Sequence, residues 1–258
     1  MSSEEITGPR RTALVTGAAS GLGALAAQRL AAAGWDVVAT DLDEKGLART
    51  ALRSPNTHVR ACDVADAAAV ATVVAETGAP HRVVHAAAIG PLVPALEQPL
   101  DEVERVLRIG YLGTVNVVRA TLPGMLERGR GELILFSSLA SWVPVAGSSA
   151  YAAAKAAVNA YAETVRREHA GSGVRIRVVC PRQVDTPGFR EAAAADPAAT
   201  GNMKGMPPRT VLDAVDRSLR RDGGLYVFPD PLTRATVLAQ RYAPGLMDRV
   251  LSRVTAPS

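Results

Sequence analysis

Cysteine is nearly absent: Cys62 and Cys180 are the only two among 258 residues. Both close apolar runs, where a thiol packs as a small hydrophobe, so no disulfide framework is expected. The four histidines, His58, His81, His85 and His169, show no ligand spacing, which leaves no metal site to expect. No apolar run is long enough to span a bilayer. Residues Met1 to Arg10 carry Glu4 and Glu5 and no apolar core, so they read as a flexible tail rather than a signal or transit peptide. A cytoplasmic, reduced protein that does not meet the membrane is expected. There is also no basic block, because scattered arginines make the net charge of +4. That pattern fits a solvated surface and argues against nucleic-acid binding. Linkers and internal repeats are lacking too, so residues 11–258 read as one domain.

What is present is an alternation of short apolar runs and helical stretches. Ala13-Leu14-Val15 leads into Thr16-Gly17-Ala18-Ala19-Ser20-Gly21-Leu22-Gly23, then an alanine-rich helix reaches about Ala33 and Gly34 caps it. Glycines at a strand-to-helix turn let a phosphate approach the free N–H groups of the helix amino terminus. The candidates at this turn are Gly17, Ser20, Gly21, Leu22 and Gly23. The next strand, Trp35 to Thr40, ends in Asp41, near the place where dinucleotide folds put an acid on the adenosine ribose. An acid there repels a 2′-phosphate, and neither Ser20 nor Leu42 is basic, so NAD is favoured over NADP. Asp43 and Glu44 follow, and a solvated loop aspartate is the other reading of Asp41.

A helix over about Asp43 to Leu52, a strand from Thr57 to Cys62, and Asp63-Val64 at an adenine position continue the series. Asp66 then caps a helix to about Glu76. Arg82 to Ala86 is the fourth strand, a long helix is predicted from Leu100 to Leu126, and Val174 to Val179 is the sixth strand. Strands alternating with helices require parallel order and right-handed crossovers. The expectation is a doubly wound α/β fold of the Rossmann kind, about seven strands in the order 3-2-1-4-5-6-7 with helices on both faces.

The chemistry gathers between Leu133 and Lys155. Leu133-Ile134-Leu135-Phe136 reads as a buried fifth strand that delivers Ser137 and Ser138 at its carboxyl end. Ala150 to His169 is free of glycine and proline and reads as helix, which sets Tyr151 and Lys155 one turn apart on one face. An ammonium there would stabilise a phenolate and make the phenol a usable general acid or base. A serine hydroxyl alongside could hold the oxygen of an alcohol or carbonyl.

Together, Thr16-Gly17-x-x-x-Gly21-x-Gly23, Asp63, Ser138, Tyr151-x-x-x-Lys155 and Pro181 through Thr186 resemble the short-chain dehydrogenase/reductase family in order and spacing. The likeness runs to about Thr186. It implies that Tyr151 is the general acid/base, that Lys155 binds the nicotinamide ribose and lowers the phenol's pKa, and that Ser138 orients the substrate carbonyl. It also implies cofactor contacts at Pro181, Val184 and Thr186, and through the backbone at Ala86 and Ala87.

Three positions depart from the family pattern. His85-Ala86-Ala87-Ala88 stands where the family has Asn-Asn-Ala-Gly, Gly110 stands where it has an asparagine beside the lysine, and Arg182 replaces a glycine. His85 is expected to pack structurally, and Arg182 to bind an anion or lie on the surface. Pro187 to Pro208 reads as a mobile lid or an ordinary surface loop. Trp142, Val143, Pro144 and Phe189 are expected to wall the substrate pocket. A helix from Thr210 to Arg221 and a strand Leu225 to Phe228 follow. The extension 232–258 shows Leu238, Tyr242, Leu246, Val250 and Val254 at helical spacing. The expected function is interconversion of a secondary alcohol and a ketone on a small or medium apolar molecule, by a homodimer or homotetramer. A non-redox epimerase or lyase, and a catalytically degenerate nucleotide-binding protein suggested by Gly110, are the alternatives.

Overall fold

The structure, a computed structural model, describes residues 11–52, 54–195, 205–221 and 223–255. The amino-terminal tail and residues 196–204 of the supposed lid lie outside the described residues. Seven strands form one sheet in the order β3-β2-β1-β4-β5-β6-β7, every pair parallel. They are β1 (Thr12–Thr16), β2 (Asp36–Asp41), β3 (Thr57–Ala61), β4 (Arg82–His85), β5 (Gly131–Phe136), β6 (Val174–Val179) and β7 (Tyr226–Val227). The helices between them are α1 (Gly21–Ala32), α2 (Glu44–Ala51), α3 (Ala67–Thr77), α4 (Leu100–Leu107), α5 (Gly113–Glu127), α6 (Ser149–Glu168), α7 (Pro187–Ala195), α8 (Pro208–Leu219), α9 (Pro231–Tyr242) and α10 (Pro244–Thr255).

A parallel sheet is covered on both faces, so its strands are apolar without a break and successive residues serve two cores. Ala13, Val15, Val37, Ala39, Val84, Ile134 and Phe136 pack with residues of α1 and α8. Leu14, Val38, Val83, Leu133, Leu135 and Ile176 pack on the other side with residues of α3, α5 and α6. Crossing from β1 to β4 reverses the direction in which the sheet is built, and the carboxyl ends at that reversal open a crevice. Thr16, Asp41, His85 and Phe136 end their strands on that edge.

One expectation is corrected. The long helix breaks at Arg108–Leu112 into a π-helical turn, where the Gly113 N–H donates to the Arg108 carbonyl five residues back. Apolar periodicity continues through that turn, so the extra residue leaves no mark in the sequence pattern. The stretch beyond Leu232 is two helices, because Pro244 lacks the N–H that would carry α9 onward. The supposed lid begins as α7, and its far end is pinned: Met206 pairs with Val184 as a parallel bridge and is 2% exposed.

Arg82, Glu132 and Arg175 occupy one register across β4, β5 and β6. Glu132 is held by Arg82 at 2.5 Å and by Arg175, with its side chain 12% exposed.

Candidate active site

The turn after β1 is shaped by close approach. Gly17 (φ 67°) and Gly21 (φ 55°) take left-handed conformations, and a Cβ on Gly23 would lie 2.1 Å from the Gly17 carbonyl oxygen. On Gly17 a Cβ would come within 2.7 Å of the Ala87 nitrogen, which is why the turn can lie against the end of β4. The Ser20 side chain does not cap α1, and the first turn of that helix holds no acid, so its N–H groups suit an anion. Thr186 faces the turn, its methyl 3.3 Å from where a Gly21 Cβ would stand.

Asp41 ties this turn to the end of β2. Its Oδ2 accepts the Ala19 N–H at 3.0 Å and its Oδ1 accepts those of Leu42 and Asp43 at 2.7 and 3.1 Å. Two further residues hold the same corner: the Thr50 hydroxyl donates to the Ala18 carbonyl at 2.8 Å, and Gly46 lets α2 come down on Ala19. After β3 the Asp63 Oδ1 accepts the Ala65 N–H at 2.9 Å, and Val64, expected from the sequence to lie near adenine, is buried. Asn116 reaches across from α5 to donate to the Val64 carbonyl at 2.9 Å. The glycine turn and the carboxylate at the end of β2 fit a dinucleotide.

β5 delivers the serines to the same edge. Ser138 Oγ accepts the Ala140 N–H at 3.1 Å and starts a 3-10 turn over Leu139–Ser141. Tyr151 lies in the first turn of α6, and Lys155 places its Nζ 5.7 Å from the Tyr151 ring centroid while donating to the Phe136 carbonyl at 2.8 Å. Ser138, Tyr151 and Lys155 are therefore brought together, because a strand end and a helix start meet there.

The electrostatics differ from the expectation. Burial raises the Tyr151 phenol above its ordinary value, with the Ser138 hydroxyl opposing that shift. Desolvation of the phenol outweighs the lowering that the Ser138 hydroxyl provides. Burial also lowers Lys155 to about 8, and it pushes the Cys180 thiol up to about 11.

His85 does pack inside: it is 2% exposed, its Nδ1 lies 2.7 Å from the Thr16 hydroxyl, and burial reinforced by Lys155 lowers it to about 3. Gly110 sits in the π-helical turn, its carbonyl accepting the Thr114 hydroxyl at 2.8 Å. Arg182 pairs with Asp230 at 3.4 Å, beside the amino terminus of α9.

Trp142 packs edge-on against Tyr226, centroids 5.0 Å apart, and against Phe228. Val143 is buried and Pro144 exposed, while the Phe189 N–H donates to the Thr186 hydroxyl at 3.3 Å. Pro181 is buried, its carbonyl accepting the Leu139 N–H at 2.8 Å, and the loop carries on to Val184. Gly90 was not legible as a site residue, yet a Cβ there would lie 2.8 Å from the Tyr151 ring. A cavity of about 150 Å³ between α1, α8 and the sheet, lined by Trp35, Arg82, Ile134 and Leu212, holds none of these residues.

Comparison with known proteins agrees with this geometry. Residues 11–197 match the family described as short chain dehydrogenase. The 1-deoxy-11-beta-hydroxypentalenate dehydrogenase of Streptomyces avermitilis is 39% identical over 202 residues, covering 74% of each chain. The 2-dehydro-3-deoxy-L-rhamnonate dehydrogenase (NAD(+)) of a Sphingomonas species is 37% identical over 182 residues, covering 69% of this chain and 73% of that one. Among solved structures, a short chain dehydrogenase/reductase family oxidoreductase from Burkholderia thailandensis superposes with a TM-score of 0.78 at 29% identity, over 91% of this chain and 97% of the other. With its seven-stranded sheet, its glycine turn and these relatives, the chain belongs to the short-chain dehydrogenase/reductase family of NAD(P)-binding oxidoreductases.

Proposed function

We propose that the protein interconverts a secondary alcohol and a ketone on a small or medium apolar molecule, with NAD preferred and Tyr151 as the general acid/base. The observation that carries this reading is the meeting of Ser138, Tyr151 and Lys155 at the carboxyl edge of β5, in the crevice that the glycine turn also borders. A bound nicotinamide would supply or remove the hydride. The chain's own share is position and proton handling. Ser138 holds the substrate oxygen, and the Tyr151 phenol donates a proton to it during reduction or takes one during oxidation. Lys155 orients the ribose and stabilises charge on the phenol side. Asp41 meets the adenosine ribose, where its charge disfavours a 2′-phosphate. Thr186, opposite Gly21, reaches the carboxamide end. The relatives' names share dehydrogenation of a hydroxy compound but no common substrate, so selectivity rests on walls particular to this chain.

Incubation with NAD or NADH and a panel of alcohols and ketones, followed by nicotinamide absorbance, tests the proposal. Cofactor change stoichiometric with product supports it. Product without net cofactor change would instead indicate an epimerase or lyase, and cofactor binding without product a degenerate protein. Tyr151→Phe is expected to abolish turnover and leave cofactor affinity nearly intact. We also propose a homodimer or homotetramer formed through α4, α5 and α6, to be measured by light scattering.

A further inference from the structure

His85 is an ionisable side chain buried in the catalytic layer for which the mechanism above has no use. Its neighbours on β4 fix the direction in which it points: Val84 packs on the α1 side, Val83 on the α6 side, so His85 shares the face that α6 covers. Across the sheet it stands between Thr16 of β1 and Leu135 of β5. The carbonyl of the next residue on β5, Phe136, accepts a hydrogen bond from Lys155 Nζ at 2.8 Å. His85 and Lys155 are 2% and 3% exposed, and the lysine's charge is felt at the imidazole.

The hydrogen bonds around the ring decide its tautomer. Thr16 Oγ1 receives the Ala87 N–H at 3.4 Å and lies 2.7 Å from Nδ1. Among the described residues the Thr16 hydroxyl meets no acceptor other than Nδ1, so its hydrogen is satisfied only there, which leaves the imidazole hydrogen on Nε2. Among the described residues, Nε2 has no hydrogen-bond partner. Lys155 brings three hydrogens and, among the described residues, one acceptor, the Phe136 carbonyl. A buried donor left unpaired forfeits its hydration with nothing in return, and such donors in native proteins are nearly always paired. An ammonium cannot accept from an imidazole N–H, but one water accepts from both.

We propose that His85 is a positioning residue for Lys155: its Nε2–H and the lysine ammonium share one buried water, which steadies the ammonium beside Tyr151. The catalytic consequence rests on the function proposed above, but the contact itself does not. Besides His85, the groups facing Lys155 are Tyr151 on its own helix and Cys180 after β6. The phenol is raised and the thiol titrates at about 11, so a step near 8 belongs to the lysine.

The test is a titration of ¹⁵N-histidine-labelled protein followed through two-bond ¹H–¹⁵N correlations, with His85 assigned by its loss in His85→Gln. The expected result is a neutral Nε2–H tautomer whose Nε2 resonance shifts with a midpoint near that of Lys155, a step that Lys155→Met removes. An Nδ1–H tautomer, or an identical titration in Lys155→Met, overturns the proposal. In turnover, His85→Leu is expected to move the alkaline limb of kcat down by about one pH unit, and His85→Gln, which keeps a donor, to restore it. An unmoved limb in His85→Leu counts against the proposal, and where that variant fails to fold, the labelled titration decides. Should the native enzyme turn over no alcohol or ketone, the proposed function fails while the titration still decides the contact.

Discussion

Gly90 and the Tyr151 ring touch so closely that a Cβ on the glycine would lie 2.8 Å from Cδ2 and 3.0 Å from Cε2. Gly90 has no positive φ, so alanine is excluded by the ring and not by the backbone. Gly90→Ala must therefore push the phenol sideways. A displacement of about 1 Å of a reacting group costs on the order of 10²-fold in rate. Gly90→Ala should lower kcat by roughly that factor and leave cofactor affinity near the native value, as steady-state kinetics and fluorescence titration would show. Unchanged kcat would mean that the ring can move without penalty.

Asp41 serves two ends at once. Its carboxylate receives three backbone N–H groups, including that of Ala19 in the glycine turn. Removing it should erode discrimination against NADP and also loosen the turn, since a charged acceptor of backbone N–H groups is worth about 1.5–3 kcal/mol. Asp41→Ala is thus expected to lose affinity for both cofactors, with a larger loss for NAD. Asp41→Asn, which keeps one acceptor oxygen, should retain more of the stability while shedding the preference. Binding measurements with both nucleotides on both variants separate the two effects.

These residues show what the sequence could and could not convey. The parallel order and the gathering of Ser138, Tyr151 and Lys155 were legible because apolar runs, turn glycines and an i, i+4 spacing are local signals. Gly90 was silent because what makes it matter is a ring 61 residues away, and a glycine in a loop announces only freedom. The contacts of Trp142 with Tyr226 and Phe228 were silent as well, because those rings lie more than 80 residues further along the chain. The π-helical turn around Gly110 escaped notice because one inserted residue barely disturbs helical periodicity.

Glu132 offers a test of the sheet independent of the site. Held between Arg82 and Arg175 with 12% of its side chain exposed, it balances two guanidinium groups across three strands. Taking away one partner of a buried ion pair costs about 3–5 kcal/mol, because the remaining charges lose their counterion. Both arginines keep some access to water, 15% and 46% exposed, so the lower end applies. Glu132→Gln should lower the denaturation midpoint accordingly, without moving the pH dependence of turnover.

The pH dependence follows from two shifted groups. In carbonyl reduction the phenol must be protonated, and burial keeps it so beyond the ordinary tyrosine range. Lys155, lowered to about 8, loses its charge first. Reduction should therefore be level at neutral pH and fall above about 8 with the lysine's charge, whereas alcohol oxidation, which needs the phenolate, should reach its maximum only toward the raised range of the phenol. Stability moves the opposite way to reduction. A lysine whose folded pKa lies below its unfolded value of 10.5 penalises the folded state while the unfolded chain holds the extra proton. That penalty is complete below about 8 and is relieved as pH rises toward 10.5. Lys155→Met, which carries no proton to penalise, should remove this rise in chemical denaturation curves taken across that window. A native protein whose stability difference from Lys155→Met stays constant over the same window would place the lysine's pKa near its ordinary value and end the argument from burial.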